Sequence, residues 1–329
     1  MSDATFGNRR AEILAAAEVW RRGGLVAFPT ETVYGLGADA ANEQALARIF
    51  AAKGRPADHP LIVHVAAARD IERWARDIPP VVWRLAERFW PGPLTLILKR
   101  APGVSDLVTG GQDTVGLRVP GHPLALALLT AFGGGIAAPS ANRFGRVSAT
   151  SAAHVVAEFG TTVDCIVDDG PCTVGLESTI LDLSGPQPRV LRPGAVSRTA
   201  LGEILGAVPD LAGAGAPRAP GRLASHYVPD TPLRLVTDAA AELAGSPLPG
   251  AKPTAVLALR APLATPLNCR WVRMSDEPAI YGQQLYARLR EVDSWDCDLL
   301  LVELPPRAEG WEAVHDRLTR ASGGGSPDC

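Results

Sequence analysis

The feature that most constrains the fold is an alternation of short apolar runs with helical patterns along much of this 329-residue chain. Unbroken apolar runs predict buried strands, and apolar residues at helical spacing predict helices. Strands are predicted at residues 25–28, 61–65, 94–98, 115–119, 136–138, 163–167, 178–183 and 189–191, and helices at 42–52, 79–89, 123–132 and 150–159. Several strands follow one another without a helix, so the pattern predicts an α/β fold of the α+β type, a mixed, twisted sheet covered by helices.

The ends of two predicted helices carry capping residues. Asn42 and Thr150 are the predicted N-caps, because their side chains can accept hydrogen bonds from the first turn. Gly54 follows the first helix, where a left-handed glycine commonly ends a helix. Lys53 and Arg55 flank Gly54, so a compact pair of cations is expected at this turn.

The second part of the chain has a different composition. Residues 207–231 are rich in glycine, alanine and proline and have no periodicity, which predicts a linker or an ordered surface loop that is long enough to suggest a function. Beyond it, strands are predicted at 233–236, 255–259 and 299–304, and helices at 238–244, 281–292 and 310–321. The expected organisation is a first domain at 1–206, the linker, a second, smaller Rossmann-like α/β domain at 232–321, and a disordered tail at 322–329.

Composition and charge exclude several classes of protein. The chain is 47% hydrophobic and carries a net charge of −3 with a pI of about 6.1, so it can bury a core and lacks the basic excess of proteins that bind nucleic acid stably. Its five cysteines form no CxxC pair, so neither a disulfide framework nor a protein metal site is expected. There is no secretory signal pattern and no apolar stretch long enough to span a bilayer, so we expect a cytoplasmic protein without membrane contact.

A loop rich in hydroxyl groups follows the first predicted strand. The strand ends at Pro29, and the chain then carries Thr30, Glu31, Thr32 and Tyr34 before two glycines. A strand that ends in polar residues and glycine is typical of a small-molecule site in α/β proteins. Together with the cations beside Gly54, the loop predicts a pocket for a small, polar and partly anionic ligand.

Further polar residues stand near the ends of predicted strands. There is no Walker A, GxGxxG, HExxH, GxSxG or SxxK motif, so the common phosphate-loop, dinucleotide, zinc-protease and serine-nucleophile chemistries lack their patterns. The remaining candidates are His59, His64, Arg118, Ser140, Asn142, Ser148, Ser178 and Arg192. Taken singly, a serine before a helix is more often a cap, and a histidine at a strand end is more often structural. Arg118 differs, because an arginine inside an apolar strand requires a paired anion.

The chain resembles the two-domain form of the threonylcarbamoyl-AMP synthase family, whose catalytic domain has the YrdC fold. The resemblance is carried, in the family's order, by Pro29–Gly37, Lys53–Pro56, Pro60–His64, Trp90–Thr95, Gly116–Pro120, Pro139–Asn142, Glu177–Ile180, Leu191–Gly194 and, in the linker, Ser225–Pro229. It implies a YrdC-like catalytic domain at 1–206 and a linker at 207–231 that can fold over the site as a lid. Eight of these stretches follow one another over about half of the chain, which makes a chance match improbable.

The resemblance implies a nucleotidyltransferase reaction. L-threonine, bicarbonate or CO2, and ATP with Mg²⁺ would give threonylcarbamoyl-AMP and pyrophosphate. The product would pass to separate tRNA threonylcarbamoyl transferase proteins, which make threonylcarbamoyladenosine in tRNA. Stable binding of tRNA by this chain itself is not expected.

The resemblance also assigns roles to matching residues. L-threonine would contact Thr32, His64, Arg118, Ala138 and Ser178, with Arg118 pairing the substrate carboxylate. ATP would contact Lys53, Arg55, His59, Thr114, Ser140, Asn142, Ser148, Arg192 and His226. Lys53 and Arg55 would act as the catalytic cations, because a reaction with no protein nucleophile depends on positioning and on neutralising charge.

Two other functions fit part of the pattern. An RNA-binding module could use the same fold and the same cations together with Arg143 and Arg146, although the acidic pI opposes it. A carbamoyl-transfer enzyme of the hydrogenase-maturation kind would share the fold, but such proteins carry zinc-type cysteine pairs that this sequence lacks.

Overall fold

The structure is a computed structural model, and it describes residues 9–213, 215–245, 252–262 and 268–323. The chain divides into two compact units. The first unit comprises Met1–Phe144, Ala149–Thr173 and Glu177–Arg222, and the second comprises Gly145–Ser148, Val174–Leu176 and Leu223–Cys329. Most of the predicted linker therefore packs with one unit or the other.

The first unit contains the predicted strands and helices, with ends that differ by a few residues. Its helices are α1 (Arg10–Arg21), α2 (Glu43–Lys53), α3 (Val81–Phe89), α4 (Asp106–Thr109), α5 (Pro123–Phe132), α6 (Ala152–Phe159) and α7 (Arg198–Leu205). Its strands are β1 (Val26–Phe28), β2 (Gly35–Asp39), β3 (Ile62–His64), β4 (Leu94–Lys99), β5 (Thr114–Arg118), β6 (Ile136–Ala137), β7 (Cys165–Ile166), β8 (Thr179–Asp182), β9 (Arg189–Arg192) and β10 (Asp210–Leu211).

Among the described residues, these strands form one sheet in the order β10-β9-β8-β4-β5-β3-β6-β2-β1-β7. The pairs β3–β5 and β4–β8 are parallel, whereas β4–β5, β8–β9, β3–β6 and β1–β2 are antiparallel. The predicted mixed sheet is therefore confirmed. Parallel strands β3 and β5 end together at His64 and Arg118, so the topology sets two of the predicted site residues side by side.

The second unit is a smaller α/β layer. It consists of β11 (Leu233–Val236), α8 (Ala239–Gly245), β12 (Thr254–Ala258), β13 (Cys269–Arg273), α9 (Pro278–Asp293), β14 (Leu299–Glu303) and α10 (Glu312–Ala321). Its strands are all parallel, in the order β11-β14-β12-β13, which confirms the Rossmann-like expectation. The edge strand β13 was not predicted, because its sequence CRWVR is partly polar and only partly buried.

Part of the predicted hydroxyl loop is a strand. β2 begins at Gly35 and pairs antiparallel with β1, so only residues 29–34 form the connection. A Cβ atom on Gly37 would lie 2.8 Å from both Phe28 and Ile136, so this glycine is required by packing rather than by ligand approach. Gly37 therefore allows β1 and β2 to pair closely in this hairpin.

Several local expectations need correction. The cap of α6 is Ser151, whose side chain accepts from His154 N, and not Thr150. Helices α1 and α7 and the short strand β10 were not predicted from the sequence.

Most of the predicted disordered tail, at 324–329, lies outside the described residues. In the described ranges, no helix combines the length and apolar character needed to cross a membrane.

The turn after α2 follows the prediction. Asn42 accepts hydrogen bonds from Gln44 N and Ala45 N, and Gly54 takes the left-handed conformation with φ 63° and ψ 33°. No heavy atom lies within 4 Å of a Cβ built on Gly54. The backbone angle, and not space, therefore favours glycine here.

Replacing Gly54 tests this reading. We expect Gly54→Ala to lower the free energy of unfolding by about 1 kcal/mol, because alanine is strained at positive φ, and Gly54→Asn to cost less. Urea unfolding of the two variants and the wild type measures the difference. Equal stability of the alanine variant and the wild type would contradict the assignment.

Candidate active site

The predicted site residues on β3 and β5 lie on one face of the central sheet. Side chains alternate along a strand, so Thr114, Gly116 and Arg118 of β5 share a face. The register sets His64 opposite Arg118 and Ile62 opposite Gly116. On this face, Thr114 and Arg118 stand at opposite ends of a short strand, about 13 Å apart at the usual rise per residue.

Arg118 is held by three partners at the carboxyl end of β5. Its Nε donates to Gly92 O at 3.1 Å, and its Nη1 donates to Thr32 Oγ1 at 2.9 Å. Its Nη2 lies 2.7 Å from Glu31 Oε1. Because only 4% of Arg118 is exposed, this carboxylate supplies the anion that its buried position requires.

The hydroxyls beside Arg118 form a directed chain. Thr30 donates to Val33 O at 2.6 Å and lies 2.8 Å from the Thr32 hydroxyl. Since the Thr30 proton is used, Thr32 donates to Thr30 and accepts from Arg118. The loop thereby fixes the orientation of the guanidinium.

Ser178 and Arg192 contact each other at the same end of the sheet. Arg192 Nε and Nη2 donate to Ser178 O at 3.1 and 3.0 Å, and Nη2 also lies 3.2 Å from Ser178 Oγ. Ser178 Oγ lies 2.7 Å from Thr95 Oγ1. A Cβ on Gly194 would lie 2.3 Å from Thr179 N, so glycine is needed where the chain passes this cluster. The predicted threonine contact and the predicted nucleotide contact are thus neighbours.

Lys53 is directed into the protein. Its Nζ donates to Ser140 O at 2.6 Å and to Asn142 O, so the structure joins three of the predicted ATP residues. Burial, reinforced by Arg55, lowers the pKa of the Lys53 ammonium well below its ordinary value, and Glu158 opposes the shift. An anionic ligand near Lys53 would favour the charged form.

Arg55 and His59 pack around one aromatic ring. Arg55 Nη2 donates to Pro60 O at 2.9 Å, and its guanidinium lies 5.6 Å from the centre of the Phe144 ring. His59 meets the same ring edge-on at 5.0 Å. Burial and the charge of Arg55 lower the pKa of His59, so the Arg55 cation is flanked by an imidazole whose neutral form is favoured.

His64 is buried beside Arg118. Burial first, and the charge of Arg118 second, lower the pKa of His64 to about 3. The ring meets Phe28 edge-on at 6.2 Å. Ala138, the other predicted threonine contact on this side, is 5% exposed and donates its N–H to Ile62 O at 3.0 Å. A neutral His64 leaves Arg118 and Glu31 as a balanced pair of charges.

Two predicted nucleotide residues belong to the second unit. Ser148 is fully buried, and its carbonyl accepts from Arg290 Nε at 3.2 Å. His226 is buried, and its N–H donates to Arg320 O at 3.1 Å. Their contact with ATP stays a prediction, as does that of Thr114, at the amino end of β5.

Two residues of the cluster had no role assigned from the sequence. From the sequence, Glu31 is only one carboxylate of the loop, and Thr95 is only part of a matching stretch. Because a buried Arg118 requires an anion, Glu31 could have been predicted from the sequence as its partner. Thr95 could have been found from register, because β4 pairs with both β5 and β8.

The linker residues of the first unit pack on the same sheet face. Ala219 is buried in a cluster with Ile62, Ile97, Ile180 and Leu191. Arg192 Nη1 donates to Pro220 O at 3.2 Å. The role of this segment as a lid stays a prediction.

Comparison with known proteins gives one consistent result. Residues 18–194 match the Sua5/YciO/YrdC family, described as "Telomere recombination", and residues 196–323 match the "Threonylcarbamoyl-AMP synthase, C-terminal domain". The threonylcarbamoyl-AMP synthase of Bacillus subtilis is 38% identical over 95% of this chain and 93% of its own. That of Pyrococcus abyssi is 46% identical over 68% of each chain. The crystal structure of P. abyssi Sua5 complexed with L-threonine has a TM-score of 0.87 at 37% identity and covers 95% of each chain.

The depressed pKa of His64 predicts a pH dependence of stability. The folded chain keeps His64 neutral down to about pH 3, whereas the unfolded chain protonates it near an ordinary pKa of about 6.5. The unfolded state therefore binds more protons as the pH falls, so this group lowers stability by about 2 kcal/mol between pH 7 and pH 5.

We expect His64→Gln to remove that share of the pH dependence. The measurement is the free energy of unfolding in urea at pH 7, 6 and 5 for the variant and the wild type. If the two curves run parallel over this range, His64 is not buried in its neutral form.

Proposed function

The chain belongs to the two-domain threonylcarbamoyl-AMP synthase family, and we propose on that basis that it converts L-threonine, bicarbonate or CO2, and ATP into threonylcarbamoyl-AMP and pyrophosphate. It is an enzyme of the nucleotidyltransferase type, which makes an AMP-linked intermediate. Binding of L-threonine by the P. abyssi protein supports the same amino acid as substrate here. We further propose that the product serves tRNA threonylcarbamoyl transferase proteins.

The observation that carries the proposal is the buried cluster around Arg118. A guanidinium fixed by Thr32 and Gly92 suits a carboxylate, because arginine binds carboxylates through parallel hydrogen bonds. His64, Ala138 and Ser178 would complete the threonine pocket. The neutral imidazole of His64 can donate or accept one hydrogen bond without adding charge.

The nucleotide would lie toward the other polar residues. The proposed ATP contacts are Lys53, Arg55, His59, Thr114, Ser140, Asn142, Ser148, Arg192 and His226. Lys53 already orders Ser140 and Asn142 through their carbonyls, which supports one shared site for these three residues. A triphosphate would supply the anion that Lys53 and Arg55 share.

The chemistry would need positioned charge rather than a protein nucleophile. The amine of threonine attacks CO2 and loses a proton, which gives an N-carboxylate. An oxygen of that carboxylate attacks the α-phosphorus, and the bond to pyrophosphate breaks. Lys53 and Arg55 would stabilise charge that develops on the phosphates, an effect worth about 100-fold in rate for one donor.

Mg²⁺ is proposed to arrive with ATP. In the described part of the chain, no three His, Cys, Asp or Glu side chains are grouped as metal ligands. Mg²⁺ that is bound to substrate phosphates commonly keeps several waters and needs few protein ligands, so the residues present are compatible with it. The ion would neutralise phosphate charge.

Burial distinguishes this function from RNA binding. Lys53, Arg55, Arg118 and Arg192 are each no more than 8% exposed. Cations that hold an RNA backbone must reach solvent-exposed phosphates. The cluster therefore supports a small enclosed ligand better than a nucleic-acid surface.

The direct test of the proposed function measures pyrophosphate release and formation of the adenylate product with ATP, threonine and bicarbonate. We expect signal only when all three are present. Turnover without threonine, or none with all three, would contradict the proposal.

Lys53 offers a sharper prediction in the same assay. We expect Lys53→Met to lower the rate of pyrophosphate release about 100-fold, because the positive charge proposed to stabilise the phosphates is lost. Lys99→Met, at a partly exposed lysine that pairs with Asp77, is the matched control and should retain the wild-type rate. A wild-type rate in the Lys53 variant would remove this residue from catalysis.

A further inference from the structure

Both oxygens of the Glu31 carboxylate are buried and lack a hydrogen-bond donor among the described residues. Glu31 is 8% exposed and lies in the connection between β1 and β2. Its Oε1 is 2.7 Å from Arg118 Nη2, but the alignment is not that of a hydrogen bond. Pairing with Arg118 accounts for the charge of Glu31, whereas a buried carboxylate whose oxygens accept no hydrogen bond is costly and points to a donor supplied by a ligand.

Arg118 has a corresponding free donor. Its Nε and Nη1 are held by Gly92 O and Thr32 Oγ1, whereas Nη2 makes no hydrogen bond to any described residue. The guanidinium therefore faces Glu31 in a fixed orientation with unused hydrogen-bonding capacity. Each partner of the ion pair can bind a further charged group.

The surroundings limit which ligand fits. The pKa of His64, lowered to about 3, keeps that neighbour uncharged, so Arg118 and Glu31 balance each other. A ligand with a net charge would leave an excess charge in a buried site, whereas a zwitterion keeps the balance. A Cβ on Gly121 would lie 3.2 Å from Glu31 Oε1, so this glycine leaves the carboxylate uncrowded.

We propose that Glu31 binds the α-ammonium group of the amino-acid substrate while Arg118 binds its carboxylate. The two residues would thus recognise both charges of one zwitterion. Glu31 would be the specificity-determining residue that distinguishes an α-amino acid from the matching acid without the amine. This inference rests on the proposed function, because it assumes that an amino acid occupies this site.

The test compares two ligands that differ only in the amine. Calorimetry measures the affinity of the wild type and of Glu31→Gln for L-threonine and for 3-hydroxybutyrate, which is threonine without its amino group. We expect the variant to lose about 10- to 100-fold in threonine affinity, since a charge-assisted hydrogen bond is lost. We expect its affinity for 3-hydroxybutyrate to stay equal or to increase, because Arg118 no longer has an internal anion.

Opposite changes for the two ligands separate recognition from general damage to the site. Glu203→Gln, at an exposed position on α7, is the matched control and should leave both affinities unchanged. Equal losses for both ligands, or an unchanged threonine affinity, would overturn the proposal. If Glu31→Gln does not fold, Glu31→Asp keeps the charge but shortens its reach, and it should weaken threonine binding selectively.

The assay of the wild type distinguishes the two levels of failure. If wild-type turnover requires threonine but the ratio of the two affinities is unchanged in the Glu31 variants, only the role of Glu31 is wrong. If the wild type neither turns over with threonine nor binds it, the proposed function fails first.

Discussion

A guanidinium buried at the carboxyl end of a central strand determines which groups must surround it in the active site. Arg118 cannot remain charged there without an anion and fixed hydrogen-bond acceptors. Glu31, Thr32 and Gly92 O supply them, and two of these residues come from the connection between β1 and β2. Since that hairpin closes through packing of Gly37 on Phe28, a backbone requirement of the sheet supports the electrostatics of the site.

The mixed sheet explains why residues far apart in sequence meet. Parallel pairing of β3 with β5 aligns His64 with Arg118, and antiparallel pairing of β4 with β5 brings the start of β4 to the same end. β8 runs parallel to β4, so Ser178, just before β8, joins this group. Thr114 and Arg118 lie at the two ends of one strand face, and the proposed adenylate would have to extend along this strand to contact both.

The sequence was sufficient to predict the layers of the fold and to name most of the residues that meet in the candidate site. Unbroken apolar runs predicted most of the strands, because a strand that is buried on both faces must consist almost entirely of apolar residues. It failed where tertiary contacts decide. Gly35 and Gly37 are predicted as part of a loop, although they lie in β2. The hydrogen bonds from Lys53 to the carbonyls of Ser140 and Asn142 could not be predicted from the sequence, and the contact of Lys53 with phosphate stays a prediction. The role of Glu31 depended on seeing which anion faces Arg118.

A crystal structure of this chain with L-threonine tests whether Arg118 and Glu31 bind the two charges of the substrate, because the ion pair and the ligand are seen together. We predict the threonine carboxylate on Arg118 and Thr32 and its ammonium within hydrogen-bond distance of Glu31. Threonine bound elsewhere, with Glu31 still 2.7 Å from Arg118 and neither residue touching the ligand, would rule out recognition of threonine by this ion pair.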